Sequence, residues 1–165
     1  MKILGIDPGK FGYWCLLDTD NGQGLARQLR WSADGILIWK EIPKADRIIM
    51  EKVHAIPGVM NARSAFSFGY SVGQLHAFTS NQSVSLVTPQ VWQKICLEGV
   101  ETTLDTKERS KAAFARINPA TRDFKLNHNM TDAFHLANYG ILKLGKLMGE
   151  WQWLNSEEIW KTSRR

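Results

Sequence analysis

A chain of 165 residues with 44% apolar and 22% charged side chains is long enough to bury one core without disulfide or metal staples. No apolar run approaches the roughly 18 residues that cross a bilayer, and the opening MKILGIDPG lacks the basic and apolar regions of a secretory leader, so no membrane partner and a cytoplasmic setting are expected. Cys15 and Cys96 stand alone, without the spacing of a zinc site, and read as reduced core thiols. A net charge of +5 favours polyanionic partners.

In chain order, KILGID (2–7) is a short apolar strand closed by the turn signal Asp-Pro-Gly. FGYWCLL (11–17) reads as its hairpin partner, with Pro8, Gly9 and Lys10 between them, and Leu25 to Trp31 as a third strand after the turn DTDNGQG. From Ala33 to Ile42 the apolar residues Ile36, Leu37 and Ile38 leave helix and strand open; a helix ending before Pro43 is preferred. RIIMEKV (47–53) is a strand interrupted by Glu51. A helix follows between Pro57-Gly58 and Asn81, with Val59, Ala62, Ala65, Phe66, Gly69, Val72, Gly73 and His76 on one stripe.

Val84–Val87 is a short strand, and Thr88-Pro89 supplies N-cap and first residue of a helix through Val91, Trp92 and Ile95. Another helix runs from Asp105 or Thr106 to Ile117, stopped by Asn118-Pro119. The stretch from Thr106 to Lys125 carries six basic residues against two acids. A last long helix spans Asn129 to Leu147, and a tail holds Trp151, Trp153 and Trp160. The order predicts an α/β domain with an antiparallel three-strand meander, residues 1–150, plus a Trp-rich tail, 151–165.

Three acids stand where a solvated acid is not expected. Asp7 closes an apolar strand, Glu51 interrupts one, and Asp132 lies among Met130, Ala133, Phe134 and Ala137. Buried carboxylates are costly unless paired or bound to metal, and several together repel unless a divalent cation holds them. Oxygen donors with open positions suit Mg²⁺ or Mn²⁺, and a pair of such ions serves phosphodiester hydrolysis. Taken singly, each acid has an ordinary explanation: a turn cap for Asp7, an edge charge for Glu51, and a helix-start acid for Asp132.

GIDPG followed by KFGYW, the strand RIIMEK and the helix HNMTDAFHLANYG resemble, in this order and spacing, the RuvC family of Holliday-junction resolvases. The resemblance implies an RNase H-like mixed sheet flanked by helices. It also implies a metal-dependent endonuclease that resolves four-way DNA junctions by paired symmetric nicks, with no nucleotide cofactor. On this sequence it assigns Asp7, Glu51 and Asp132 to two Mg²⁺ or Mn²⁺ ions. The family's further ligand, three residues before the last Asp, falls on Asn129; His128, one residue earlier, shares the helical face, so the fourth ligand is His128, Asn129 or absent. His135 reads as structural.

By the same resemblance His54 holds the position of a junction-wedging aromatic, and Lys107 and Lys111 those of phosphate-contacting bases. Lys10, beside Asp7, is a further phosphate contact. The 59–80 helix is assigned a homodimer interface, since two symmetric cuts match a two-fold partner. A phage-type member, a broader branched-DNA endonuclease on the same core and a catalytically silent junction binder are the neighbouring readings. An actin-like ATPase, which also opens with GIDPG, needs a second half-domain that this length does not hold.

Overall fold

The computed structural model describes residues 1–53, 61–121, 126–144 and 151–153. Its sheet contains β1 (Lys2–Asp7), β2 (Tyr13–Asp18), β3 (Gln23–Gln28), β4 (Arg47–Glu51), β5 (Val84–Val87) and β6 (Gln152–Trp153). Their spatial order is β5-β4-β1-β2-β3-β6. The first three form the expected antiparallel meander, while β4 runs parallel to β1, β5 to β4 and β6 to β3. The helices are α1 (Ala62–Thr79), α2 (Pro89–Cys96), α3 (Thr106–Ile117) and α4 (His128–Lys143). The strand and helix order predicts this α/β domain with its antiparallel meander, and the mixed sheet is the RNase H-like arrangement that the resemblance implies.

Alternation along β1 builds two core layers. Leu4 and Ile6 face one side with Trp14, Ile48, Met50 and Leu75 of α1. Ile3 faces the other with Cys15, Ile49, Trp92, Phe114 and the apolar face of α4. On that side Gly5 lets α4 lie directly on β1: a Cβ there would overlap the carbonyl of Ala133 and stand 2.5 Å from the nitrogen of Ala137. Gly140 repeats the device one helix face later, against Ile3 and Ile49. Both cysteines are buried free thiols, with Cys96 pushed up to about 12 by burial.

The segment expected as a helix from Ala33 to Ile42 is not one. Trp31 bridges Leu37 antiparallel across a turn in which Gly35 takes φ +75°, and only Trp39–Glu41 forms a single 3₁₀ turn. Gln74 of α1 fixes this segment by accepting from the Leu37 N–H (2.7 Å) and donating to the Gly35 carbonyl (2.9 Å). The third strand also ends early, at Gln28; the Leu29 N–H donates to the Gly12 carbonyl instead (2.8 Å).

Residues 151–153 join the sheet. Trp151 is buried, Gln152 and Trp153 pair with Gln23 and Gly24, and the Trp153 ring sits 5.6 Å from Phe114 and 5.9 Å from Phe134. Trp160 lies outside the described residues. No helix among the described residues is long and apolar enough to cross a membrane.

Candidate active site

Strand register brings the first two acids together. Ile6 pairs with Met50 across the parallel β1–β4 ladder, so Asp7 and Glu51, one residue on, end adjacent strands and point to the α4 side of the sheet. Carboxyl ends of parallel strands are where α/β sheets gather their ligands. Asp132 reaches the same place from the first turn of α4, which the side chain of Asn127 caps by accepting from the Asn129 N–H (2.9 Å). The close seat of α4 on Gly5 sets how far Asp132 stands from Asp7.

The three carboxyls feel one another. Burial raises Asp7 well above the ordinary carboxylate range, and the charges of Asp132 and Glu51 raise it further. Glu51 is raised by burial and partly relieved by the indole N–H of Trp92. Asp132 is pushed up to about 7, first by burial and then by Glu51, against the lowering effect of the Ser110 hydroxyl and of Lys107. Among the described residues no cation forms an ion pair with any of the three.

Oxygen donors whose charges oppose one another, with no ion pair to offset them among the described residues, fit a divalent cation. Among the described residues, however, no three His, Cys, Asp and Glu side chains are gathered closely enough to hold a metal ion as they stand.

Two residues that no motif marks hold the acids in place. Ser110 of α3, fully buried, donates to Asp132 Oδ1 (2.5 Å), shares a hydroxyl contact with Thr131 (2.7 Å), and offers its carbonyl to His135 Nε2 (2.9 Å). A carbonyl only accepts, so Nε2 carries the His135 proton and the partnerless Nδ1 is a bare acceptor. Burial lowers His135 to about 4, which keeps the ring neutral. The ring stacks on Trp92 at 6.0 Å and 14°, and Trp92 Nε1 donates to Glu51 (3.0 Å). A continuous brace thus runs from Asp132 through Ser110, His135 and Trp92 to Glu51. His135 is structural, as its sequence context suggests.

The remaining sequence candidates divide. Asn129 donates its amide to the Phe11 carbonyl (2.9 Å), tying α4 to the β1–β2 loop, and a ligand role for it rests on the amide oxygen. His128 has the α3 side chains Lys107, Lys111, Glu108 and Asp105 as its charged neighbours, and its pKa is lowered by burial and then by the two lysines. Lys107 acts on Asp132 electrostatically and so flanks the acids, while Lys111 pairs with Glu108 (2.7 Å) on the surface. Lys10 is exposed, 5.7 Å over the Phe11 ring. His54 lies outside the described residues.

The fold and this cluster define an RNase H-like core with acids at its strand ends. Among solved structures, it is similar to Thermus thermophilus RuvC in complex with a Holliday junction substrate, with TM-score 0.55, 12% identity, and coverage of 92% of this chain and 99% of that one. A second Thermus thermophilus RuvC structure matches with TM-score 0.50 and 15% identity over 92% and 100% of the two chains. No family model and no curated protein matches the chain. At these identities the likeness is one of fold: the chain has the RuvC architecture over nearly its whole length.

Proposed function

We propose that this chain is a metal-dependent, structure-selective endonuclease that resolves four-way DNA junctions by paired nicks, leaving 5′-phosphates. The observation that carries the reading is the convergence of Asp7, Glu51 and Asp132 from two strand ends and a helix start, half-buried and, among the described residues, in no ion pair. Fold similarity to a RuvC solved with a Holliday junction supports the substrate class.

Asp7, Glu51 and Asp132 would hold Mg²⁺ or Mn²⁺, two ions per site. Bound there, the metal supplies an activated water and neutralises charge developing on the phosphate. The chain's own groups do the rest. Ser110 and Trp92 fix one oxygen each of Asp132 and Glu51, leaving the other oxygens to face the substrate. Asn129 holds the β1–β2 loop, and with it Lys10, against α4. Lys107, Lys111 and Lys10 attract the phosphate backbone without reading sequence. His54 would stack on a base at the branch, and His128 or Asn129 would complete the ligand set.

A homodimer would present two such sites. Its support is α1: Ala62, Phe66, Gly69, Gly73 and His76 of the predicted stripe are exposed, and among the described residues nothing would lie within 4 Å of a Cβ at Gly69 or Gly73. Two such faces could approach closely across a two-fold axis. Val59, the first stripe position, lies outside the described residues.

The test is cleavage of a synthetic four-way junction with and without Mg²⁺ or Mn²⁺, beside fork, flap and hybrid substrates, with the cuts mapped on all strands. Symmetric metal-dependent nicks on the junction are expected, lost in Asp7→Asn, which still binds the junction. Equal cutting of all branched substrates would favour the broader branched-DNA endonuclease. Junction binding without nicking would mark a silent binder.

A further inference from the structure

Two adjoining concavities of about 470 and 400 Å³ lie at the same end of the sheet as the acids, on the α1 side. The β1–β2 loop, the segment after β3 and α1 form their walls. They share Lys10, Ser67 and Ser71. Arg63 lines one of them, and the aromatic rings of Phe11 and Tyr70, 65% and 47% exposed, line the other. Among the described residues no acid lines either, and none pairs with Lys10 or Arg63. A lining of cations, hydroxyls and exposed aromatic rings, Tyr70 stacked on Phe66 at 6.5 Å and Phe11 under Lys10, suits phosphate and base together.

Where the expected helix from Ala33 to Ile42 would have stood, the chain makes a tight Trp31–Leu37 bridge, and residues 31–33 and 35 become groove wall. The groove is joined to the acids by the loop itself, because Lys10 is three residues from Asp7 and the carbonyl of Phe11 is bonded to Asn129 in the helix turn that carries Asp132. A strand lying with one phosphate at the acids would cross this loop into the groove. The volume is that of a small-ligand pocket, room for a nucleotide or two and not for a paired stack.

We propose that this groove takes one or two unpaired nucleotides of the strand flanking the cut, and that it contributes to the choice of branched over linear DNA. The inference rests on the nuclease reading and adds to it a site for splayed-out DNA. Capture would combine phosphate contacts from Lys10 and Arg63 with stacking on Tyr70 and Phe11.

The experiment compares the full-length wild type with Tyr70→Ala, Tyr70→Phe and Ser67→Asp, in EDTA, for binding to a four-way junction, a linear duplex of the same length and a short oligothymidylate. Melting temperature and mass in solution are recorded for each variant. Tyr70→Ala should weaken junction and oligothymidylate binding roughly tenfold, as loss of one stacked base does, with duplex binding held. Tyr70→Phe should restore it. Ser67→Asp, which sets a carboxylate between the two concavities beside Lys10, should weaken the same two ligands and lower the salt slope by about 1.

Equal losses on duplex and junction, or no loss on either, would overturn the groove assignment. Metal-dependent nicking of the junction by the wild type, measured beside these, separates the two readings: if it is present while the variants bind like wild type, only the groove fails. If the wild type neither binds nor nicks the junction, the nuclease reading falls with it.

Discussion

The carboxyl of Asp132 makes the fold of the metal-free chain depend on pH in an uncommon direction. Its pKa rises from 3.8 to about 7 in the folded state. A carboxyl whose folded pKa is raised favours the fold when protonated. That contribution is complete below the unfolded pKa and is lost as pH rises through the folded one, so stability should fall between about pH 4 and pH 7. Three units at about 1.4 kcal/mol each set a ceiling of roughly 4 kcal/mol. Water reaching the half-buried group, and repulsion shared among three acids, bring the expected effect to about 2 kcal/mol, or some 4–8 °C for a chain of this size.

Asp132→Asn keeps an acceptor for the Ser110 hydroxyl and removes the charge. In EDTA at pH 8 the variant should melt several degrees above the wild type, and at pH 4.5 the two should converge. Mg²⁺ at pH 8 should raise the wild type and leave the variant nearly unmoved, while junction cleavage is lost in the variant. Thermal melts across pH 4.5–8 with and without Mg²⁺ read all of this. A wild type whose stability is flat or rising over that range, or a variant no more stable at pH 8, would refute the electrostatic account of the acid cluster.

Removing the hydroxyl in Ser110→Ala frees one Asp132 oxygen from its donor, and Trp92→Phe keeps the ring against His135 while freeing Glu51. Each should raise the Mg²⁺ concentration needed for half-maximal cleavage several-fold, with a smaller change in junction affinity, as read from metal titrations at fixed junction. Gly5→Ala drives a methyl into the backbone of α4 at Ala133 and Ala137 and should cost about 3 kcal/mol or more, visible as a large fall in melting temperature or as loss of soluble protein. If the proposed homodimer forms through α1, Phe66→Glu, which places a charge on its exposed face, should yield a monomer in sedimentation where the wild type is dimeric, and spare the melt of the single subunit.

Much of the frame was legible because local signals and tertiary needs agree. Asp105 caps α3 by accepting from the Lys107 and Glu108 N–H groups, as an Asp before a helical pattern should, and Pro89 opens α2. Three acids in apolar elements stood out as candidates before the register brought two of them side by side. The 33–42 stretch misled because Ile36, Leu37 and Ile38 have no period of their own. The turn at Gly35 and the bonds from Gln74, 37 and 39 residues away, decide its shape.

Ser110 and Trp92 were illegible for a related reason. A buried Ser in a basic helix and a Trp on an apolar helix face are ordinary until α3 and α2 are packed against α4 and β4. Asn129 was assigned by the resemblance, three residues before Asp132, and both stand near the start of α4. What spacing does not show is that its amide turns to the β1–β2 loop.

The two-residue β6 has a bearing on how this protein can be handled. By pairing with Gln23 and Gly24 it blocks the outer rim of the meander near the start of β3, and Trp153 clamps it there by donating to Asn118 Oδ1 (3.1 Å) with its ring over Phe114. Cut away after residue 150, the chain would bare a stretch of unpaired backbone beside a vacated aromatic slot, a template for sticking to its own kind. Residues 151–153 therefore guard the sheet's margin, and a version shortened before them for crystallisation or tagging would trade a few residues for a tendency to aggregate.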